Sequence, residues 1–155
     1  MVEQARTDSQ HTIIWLQQIV PTDDLISLST HASIFVCPSV YEPFGTTTLE
    51  AMACETPVAA SAVGGIPEVV AHDDTGLLVP FEPISAENFE PKDPERFARD
   101  LAGAINSLLH APEKMQAMGR KACERVEQYF SWGSIAQRAL EIYRALTPVG
   151  GVAHP

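Results

Sequence analysis

Two glutamates, Glu42 and Glu50, bracket a short loop that leads from an apolar segment into a helical one. Residues 34–36 before them are apolar and β-rich, which predicts the end of a buried strand. Gly45 frees the backbone of the loop, and the sequence after it is typical of a helix that begins with threonines. The hydroxyls of residues 46–48 are therefore expected to cap the start of this helix.

This arrangement suits a ligand that carries both phosphate and hydroxyl groups. The first turn of a helix leaves backbone N–H groups without partners at the positive end of the helix dipole, which makes a site for an anion. The two carboxylates would repel a phosphate, so we expect them to accept hydrogen bonds from hydroxyls on either side of it. Sugar hydroxyls on one side and ribose hydroxyls on the other indicate a nucleotide sugar.

Several sequence words around the two glutamates occur together and in order. They are the E-x7-E pair Glu42 and Glu50, Phe35-Val-Cys-Pro-Ser-Val-Tyr-Glu-Pro, Leu49-Glu-Ala-Met-Ala-Cys, Ser61-Ala-Val-Gly-Gly-Ile-Pro-Glu-Val-Val and Gly76-Leu-Leu-Val-Pro. Through these words, residues 12–146 resemble the retaining GT-B glycosyltransferases of the family that contains bacterial glycogen synthases, the actinobacterial ones in particular. The resemblance implies a Rossmann-like domain that binds the donor, the C-terminal domain of a GT-B fold, incomplete at its N-terminal side.

The resemblance also implies roles for individual residues. Glu42 would contact hydroxyls of the transferred hexose at the catalytic centre, and Glu50 would bind the ribose. Further donor-binding contacts would come from Phe44, Gly45, Thr46, Thr47, Gly64 and Gly65. Three of these assignments have a structural alternative. Glu50 could serve only the helix dipole, the threonines could be only caps, and the glycines could be only turn residues.

The distribution of charge indicates that part of a diphosphate site is supplied from elsewhere. The net charge of −10 argues against nucleic acid as a partner. No Lys or Arg occurs between Arg6 and Lys92, although a bound diphosphate normally requires one or two cations. We therefore expect these cations to come from polypeptide not present in this sequence. By resemblance that polypeptide includes an N-terminal GT-B domain, which binds the acceptor, so the isolated chain is expected to be inactive.

The alternation of strand and helix patterns predicts an α/β fold with a parallel sheet, flanking helices and a helical C-terminus. Strands are expected at 11–20, 33–37, 58–63 and 77–79, and helices at 46–54 and from residues 22, 66, 94, 112 and 131. Thr22 or Asp23 is expected to cap the first helix, whose apolar face would hold Leu25, Ile26 and Leu28. Because ligands bind at the carboxyl ends of parallel strands, the Glu42 loop and the Gly64-Gly65 turn are expected on one edge of the sheet. We expect a disordered leader at 1–10, one domain at 11–146 and a disordered tail at 147–155.

Other classes of site find little support. Cys37, Cys54 and Cys123 lack the spacing of metal ligands and are interpreted as reduced, buried or half-buried thiols of a cytoplasmic protein. Asp73 and Asp74 are interpreted as turn residues, and no metal or cofactor is expected. No apolar run is long enough to span a membrane.

The favoured function is transfer of glucose from a nucleotide sugar, with retention, to an α-1,4-glucan or glucose 1-phosphate. The resemblance favours ADP-glucose over UDP-glucose as donor. One alternative is the same fold acting on a lipid or another small acceptor. The other is a Rossmann-like module that binds nucleotide or a partner protein without catalysis.

Overall fold

A three-stranded parallel sheet lies at the centre of the computed structural model, which describes residues 13–147. Its strands are β1 (Phe35–Cys37), β2 (Val58–Ser61) and β3 (Gly76–Val79), in the order β1-β2-β3. Val58 of the central strand pairs with Phe35 on one side and Gly76 on the other. The predicted α/β fold with a parallel sheet is confirmed.

Six helices accompany the sheet in the described part of the chain. They are α1 (Thr22–His31), α2 (Thr46–Ala53), α3 (Ile66–Val69), α4 (Pro94–Leu109), α5 (Pro112–Tyr129) and α6 (Trp132–Leu146). Proline at the first helical position fits α4 and α5, because its missing N–H has no partner there in any helix. The predicted helical C-terminus is confirmed. None of the helices described is both long and apolar enough to cross a bilayer.

The central strand explains how the sheet is covered on both faces. All of β2 is buried, and its alternate side chains point to opposite faces. One face packs against α2, α3 and α5 in a cluster of Cys37, Met52, Val58, Ala60, Ile66, Val69, Val70 and Ala122. A second cluster consists of Leu77 of β3, Leu108 of α4 and Met118 of α5, which pack together. Burial of a side chain the size of Met52 or Ile66 contributes about 1.5–3 kcal/mol, so these clusters hold the strands in register.

The N-terminal expectations need correction. Residues 13–20 form no strand, and Ile19 is 97% exposed; residues 11 and 12 lie outside the described part. An extended segment becomes a strand only where a neighbour accepts and donates its backbone hydrogen bonds, and the described residues provide none here. The helix expected from Thr22 is present, but Pro21 occupies its N-cap without a side-chain hydrogen bond, so a cap at Thr22 or Asp23 was wrong.

Two helices, α1 and α6, expose apolar side chains. On α1, the side chains of Leu25, Ile26 and Leu28 are 39–51% exposed. On α6, no residue is buried, so the apolar side chains of this helix are exposed. Ser131 caps α6, because its hydroxyl accepts a hydrogen bond from the Ser134 N–H at 3.2 Å. The leader 1–10 and residues 148–155 of the predicted tail lie outside the described residues.

The carboxyl ends of the three strands form one edge of the sheet, here called the rim. Residues 38–45 follow β1, residues 62–65 follow β2 and residues 80–92 follow β3. The first loop is fixed at its base, where the Ser61 hydroxyl donates to the Ser39 carbonyl oxygen at 2.5 Å. The predicted convergence of the Glu42 loop and the glycine turn at this edge is therefore confirmed.

The backbones of these two rim loops interlock at the glycine turn. The Gly65 N–H donates to the Glu42 carbonyl oxygen at 3.0 Å. A Cβ at Gly64 would lie 1.9 Å from that oxygen, and a Cβ at Gly65 would lie 2.6 Å from the Phe44 Cα. Gly64 also has φ of +51°, a conformation that L side chains rarely adopt. The two glycines are thus required by the close approach of the loops as well as by the turn.

We expect Gly64→Ala to lower the free energy of unfolding by about 2–4 kcal/mol, because the added methyl group clashes with backbone and φ becomes strained. Gly103→Ala is the matched control, since nothing lies within 4 Å of its Cβ position in the exposed middle of α4. It should raise the free energy of unfolding by about 0.5–1 kcal/mol. Urea unfolding of both variants measures the difference, and equal stability of Gly64→Ala and the parent would contradict the interlock.

Two buried threonines provide a second comparison. The Thr48 hydroxyl is fully buried and has no hydrogen-bond partner among residues 13–147, whereas the equally buried Thr56 hydroxyl donates to the Ser29 carbonyl oxygen at 2.5 Å. Thr48→Val should therefore keep or raise the free energy of unfolding, by up to about 1 kcal/mol, and Thr56→Val should lower it by about 1 kcal/mol. Denaturant titrations of the two variants test this, and a clear loss for Thr48→Val would reveal an acceptor that the structure does not show.

Candidate functional site

Gly45 and Glu42 determine how the chain enters α2. Gly45 occupies the N-cap with φ of +100° and provides no side-chain cap. Its N–H donates to Oε1 of Glu42 at 3.1 Å, so this carboxylate is half-buried against the turn that starts the helix. Only one carboxylate oxygen is used in this contact, which leaves the other able to accept a hydrogen bond.

The threonines do not cap α2, contrary to expectation. The N-cap residue is Gly45, and none of the described side-chain hydrogen bonds comes from Thr46 or Thr47, which are both exposed. The first intrahelical bond runs from the Leu49 N–H to the Gly45 carbonyl oxygen at 3.0 Å. Because the cap brings no side-chain acceptor, the backbone N–H groups at the start of the helix are available to an anion.

Glu50 lies in the second turn of α2, as its fifth residue, and is exposed. A carboxylate stabilises the helix dipole mainly from the first turn, and the first turn of α2 contains no acidic residue. The structural alternative for Glu50 is therefore weakened. Its binding of ribose hydroxyls stays a prediction, as do the roles of Glu42, Phe44 and the backbone amides in binding the donor.

Aromatic contacts hold the Glu42 loop from two sides. The ring of Phe44 meets that of Phe130 edge to face, with centroids 6.1 Å apart, and the ring of Tyr41 meets that of Phe89 at 4.9 Å. Such pairs contribute about 0.5–1.5 kcal/mol beyond the area they bury. Sequence reasoning missed both contacts. The available signal was the presence of aromatic residues in the segments that connect helices and strands.

Arg125 holds the C-terminal end of α3, the short helix that follows the glycine turn. Its guanidinium donates to the carbonyl oxygens of Val69 at 2.7 Å and Glu68 at 2.9 Å, which lie at the C-terminal end of α3. It also lies over the Phe130 ring, 5.8 Å from the centroid. A cation at a helix C-terminus satisfies carbonyl groups that have no intrahelical partner. Arg125 therefore supports the turn from the end opposite to Gly64.

Lys92 and Lys121 both form ion pairs with acidic residues outside α2. Lys92 contacts Glu82 at 2.7 Å, and Lys121 contacts Asp74. In each pair the hydrogen bond to the carboxylate raises the pKa of the lysine. Within residues 13–147, no described hydrogen bond or ion pair joins a Lys or Arg side chain to Glu42, Glu50 or the start of α2. The site as described therefore contains backbone donors and carboxylate acceptors.

Asp73 and Asp74 lie in a turn and form ion pairs, and the cysteines are free thiols. Asp73 has φ of +62° in the turn before β3, as expected of a turn residue, and it contacts Lys114 at 3.4 Å. The three cysteines are free thiols, one buried and two half-buried, as predicted. Burial raises the pKa of the Cys123 thiol, which keeps it protonated at neutral pH.

Comparison with known protein families matches residues 5–125 to the family described as glycosyl transferases group 1. Among curated proteins, the chain is 44% identical over 144 residues to the alpha-maltose-1-phosphate synthase of Mycolicibacterium smegmatis, covering 93% of this chain and 34% of that protein. The chain thus spans about a third of the length of this relative.

Two solved structures share the fold. Sucrose-phosphate synthase from Thermosynechococcus elongatus matches with a TM-score of 0.74 and 37% identity, over 94% of this chain and 33% of that one. Anabaena HepE in complex with UDP and glucose matches with a TM-score of 0.62 and 27% identity, over 79% of this chain and 30% of that one. The family match covers most of the chain, and the fold agrees with it. The chain belongs to the group 1 glycosyl transferases and corresponds to the C-terminal domain of their GT-B fold.

Proposed function

We propose that this chain is the donor-binding part of a retaining glycosyltransferase that transfers glucose from a nucleotide sugar. One observation carries the proposal: the open N-terminus of α2 lies between two carboxylates, in a chain of a glycosyltransferase family. The backbone N–H groups of Thr46 and Thr47 would bind the diphosphate. Negative charge develops on this diphosphate as it leaves, and preorganised donors stabilise that charge.

The two carboxylates would bind the two sugars of the donor. Glu42 is fixed by its hydrogen bond to the Gly45 N–H, so its free oxygen can position hydroxyls of the hexose at the reaction centre. Glu50 is exposed on the next turn of α2 and would accept hydrogen bonds from the ribose hydroxyls. Anchoring both ends of the donor orients its anomeric carbon, and orientation of this kind lowers the barrier. No resident metal or cofactor takes part in this proposal.

The identity of the donor rests on two lines of support. The resemblance to actinobacterial glycogen synthases favours ADP-glucose. The HepE structure contains UDP and glucose, and HepE is 27% identical to this chain over the aligned part, so UDP-glucose is the second donor to test. The same residues would bind the diphosphate and the glucose of both compounds, and only the contacts to the base would differ.

We favour a phosphorylated sugar, such as glucose 1-phosphate, as the acceptor. The relatives reported above are named for maltose-1-phosphate and for sucrose-phosphate, and each matches more than nine-tenths of this chain. An α-1,4-glucan is the alternative acceptor, by resemblance to glycogen synthases. A retaining transfer to either one leaves an α-linked product and releases the nucleoside diphosphate.

Cations for the diphosphate and most contacts to the acceptor would come from polypeptide beyond this chain. This follows from the 33–34% coverage of the relatives and from the lack of Lys or Arg between Arg6 and Lys92. The same lack of cations favours a second candidate, a module that binds nucleotide or a protein without catalysis. Activity of the chain joined to its upstream segment would separate the two candidates.

Calorimetric titration with ADP-glucose and UDP-glucose tests the donor site directly. One of the two is expected to bind, and Glu50→Ala should weaken binding by about 1–3 kcal/mol, the scale of a charged hydrogen bond left unmade. Glu113→Ala is the matched control, because Glu113 is an exposed glutamate in the first turn of α5. It should bind as the parent does. Equal binding by Glu50→Ala and the parent would remove Glu50 from the donor site.

We expect the 155-residue chain alone to show no transfer of glucose to glucose 1-phosphate or to maltotriose. The leaving diphosphate would lack the cations that stabilise its charge, although the backbone N–H groups at the start of α2 would still be present. A radiolabelled glucose transfer assay measures this. Turnover at rates typical of enzymes, about 1 per second or faster, would show that the described residues suffice for catalysis.

A further inference from the structure

The segment after β3, residues 80–92, forms an ordered excursion that we call the rim hairpin. Its two arms are joined by an antiparallel bridge between Pro83 and Pro91. The Lys92 N–H donates to the Glu82 carbonyl oxygen, and the Ile84 N–H donates to the Glu90 carbonyl oxygen, both at 2.9 Å. Long loops with their own internal hydrogen bonds are commonly functional. The rim hairpin is therefore a built element at the edge where ligands bind.

The base of the rim hairpin is anchored to α4. The rings of Phe81 and Phe97 pack edge to face, with centroids 5.2 Å apart. An ion pair between Lys92 and Glu82 joins the two arms at 2.7 Å. The base is thus fixed, and the far arm of the hairpin can present side chains in a defined position.

The far arm reaches across the rim to the Glu42 loop. The strand order is β1-β2-β3, so a segment that follows β3 must pass the end of β2 to contact the loop after β1. Phe89 makes this contact, with its ring 4.9 Å from that of Tyr41 and tilted by 46°. Tyr41 directly precedes Glu42 in the chain. The rim hairpin therefore places an aromatic side chain against the residue that precedes Glu42, whose carboxylate we assign to the transferred hexose.

Both rings of this pair remain open to solvent, although they touch each other. Tyr41 is 60% exposed and Phe89 is 42% exposed. Aromatic faces of this kind bind the apolar C–H face of a pyranose ring, while nearby acceptors bind its hydroxyls. The hairpin carries Glu82, Glu87 and Glu90 against Lys92, so its charge disfavours an anion at this surface.

We propose that Tyr41 and Phe89 form a subsite for the uncharged pyranose ring of the sugar acceptor. This inference rests on the proposed function, because Glu42 marks the reaction centre only if a hexose is transferred there. The donor contacts proposed above come from the Glu42 loop and from α2, and the rim hairpin adds none to them. It is free to contact the acceptor, whose phosphate, where present, points away from the acidic hairpin.

Titration of the full 155-residue chain with maltose, followed by aromatic ¹H–¹³C NMR, tests the subsite. Maltose is expected to shift the ring signals of Tyr41 and Phe89. Phe89→Ala and Tyr41→Ala should each weaken maltose binding about tenfold, while Phe89→Tyr should retain it. Tyr143→Ala on the exposed face of α6 is the matched control and should bind maltose as the parent does.

Thermal unfolding of each variant separates loss of the subsite from loss of the fold. Both alanine variants should unfold within a few degrees of the parent, because the two rings are exposed. Absence of maltose-dependent shifts at these rings, or unchanged binding in both alanine variants, would overturn the inference. If the same sample binds a nucleotide sugar through Glu50, only the inference falls. Maltose binding at the pair without any nucleotide-sugar binding would instead overturn the proposed function and leave the pair as a sugar-binding surface that serves no transfer.

Discussion

The approach of two backbones at Gly64 and Gly65 is the constraint on which the rim depends. The Glu42 carbonyl oxygen occupies the space where a Cβ of Gly64 would lie, so the loop after β1 and the turn after β2 cannot move independently. The position of Glu42 is set from beneath by this contact and from within its own loop by the Gly45 N–H. Backbone contacts vary little with side-chain rotamers, which suits a site that must hold a carboxylate in one place.

Much of this frame follows from local sequence rules. The alternation of apolar strands and helices predicts the parallel sheet, and strand ends followed by Glu42 and by Gly64-Gly65 predict the shared edge. What failed depended on distant partners. Residues 13–20 look like a strand but have no strand to pair with among the described residues, and the apolar side chains of α1 stay exposed. The sequence of a segment shows that it has an apolar face, but the tertiary structure determines whether another element covers that face.

The details of the site were also beyond local rules. Three threonines at a helix start favour a hydroxyl cap, yet Gly45 takes the N-cap because the loop enters α2 with a positive φ. That choice leaves the hydroxyls of Thr46 and Thr47 exposed instead of bound to their own helix. The contacts of Phe44 with Phe130 and of Tyr41 with Phe89 link residues more than forty positions apart. Periodicity cannot reveal such pairs, since each partner lies in a segment without a regular pattern.

The three strand-end loops differ in how strongly their contacts constrain them. The loops after β1 and β2 interlock through backbone, so substitutions there would disturb the carboxylate and the helix start together. The rim hairpin is fixed only at its base and touches the Glu42 loop through one exposed ring. Apart from Phe89, its outer residues can change without moving the two loops beneath it. Variation in acceptor is therefore expected to reside in the third loop, while the parts that would bind a donor remain constant across a scaffold that serves several reactions.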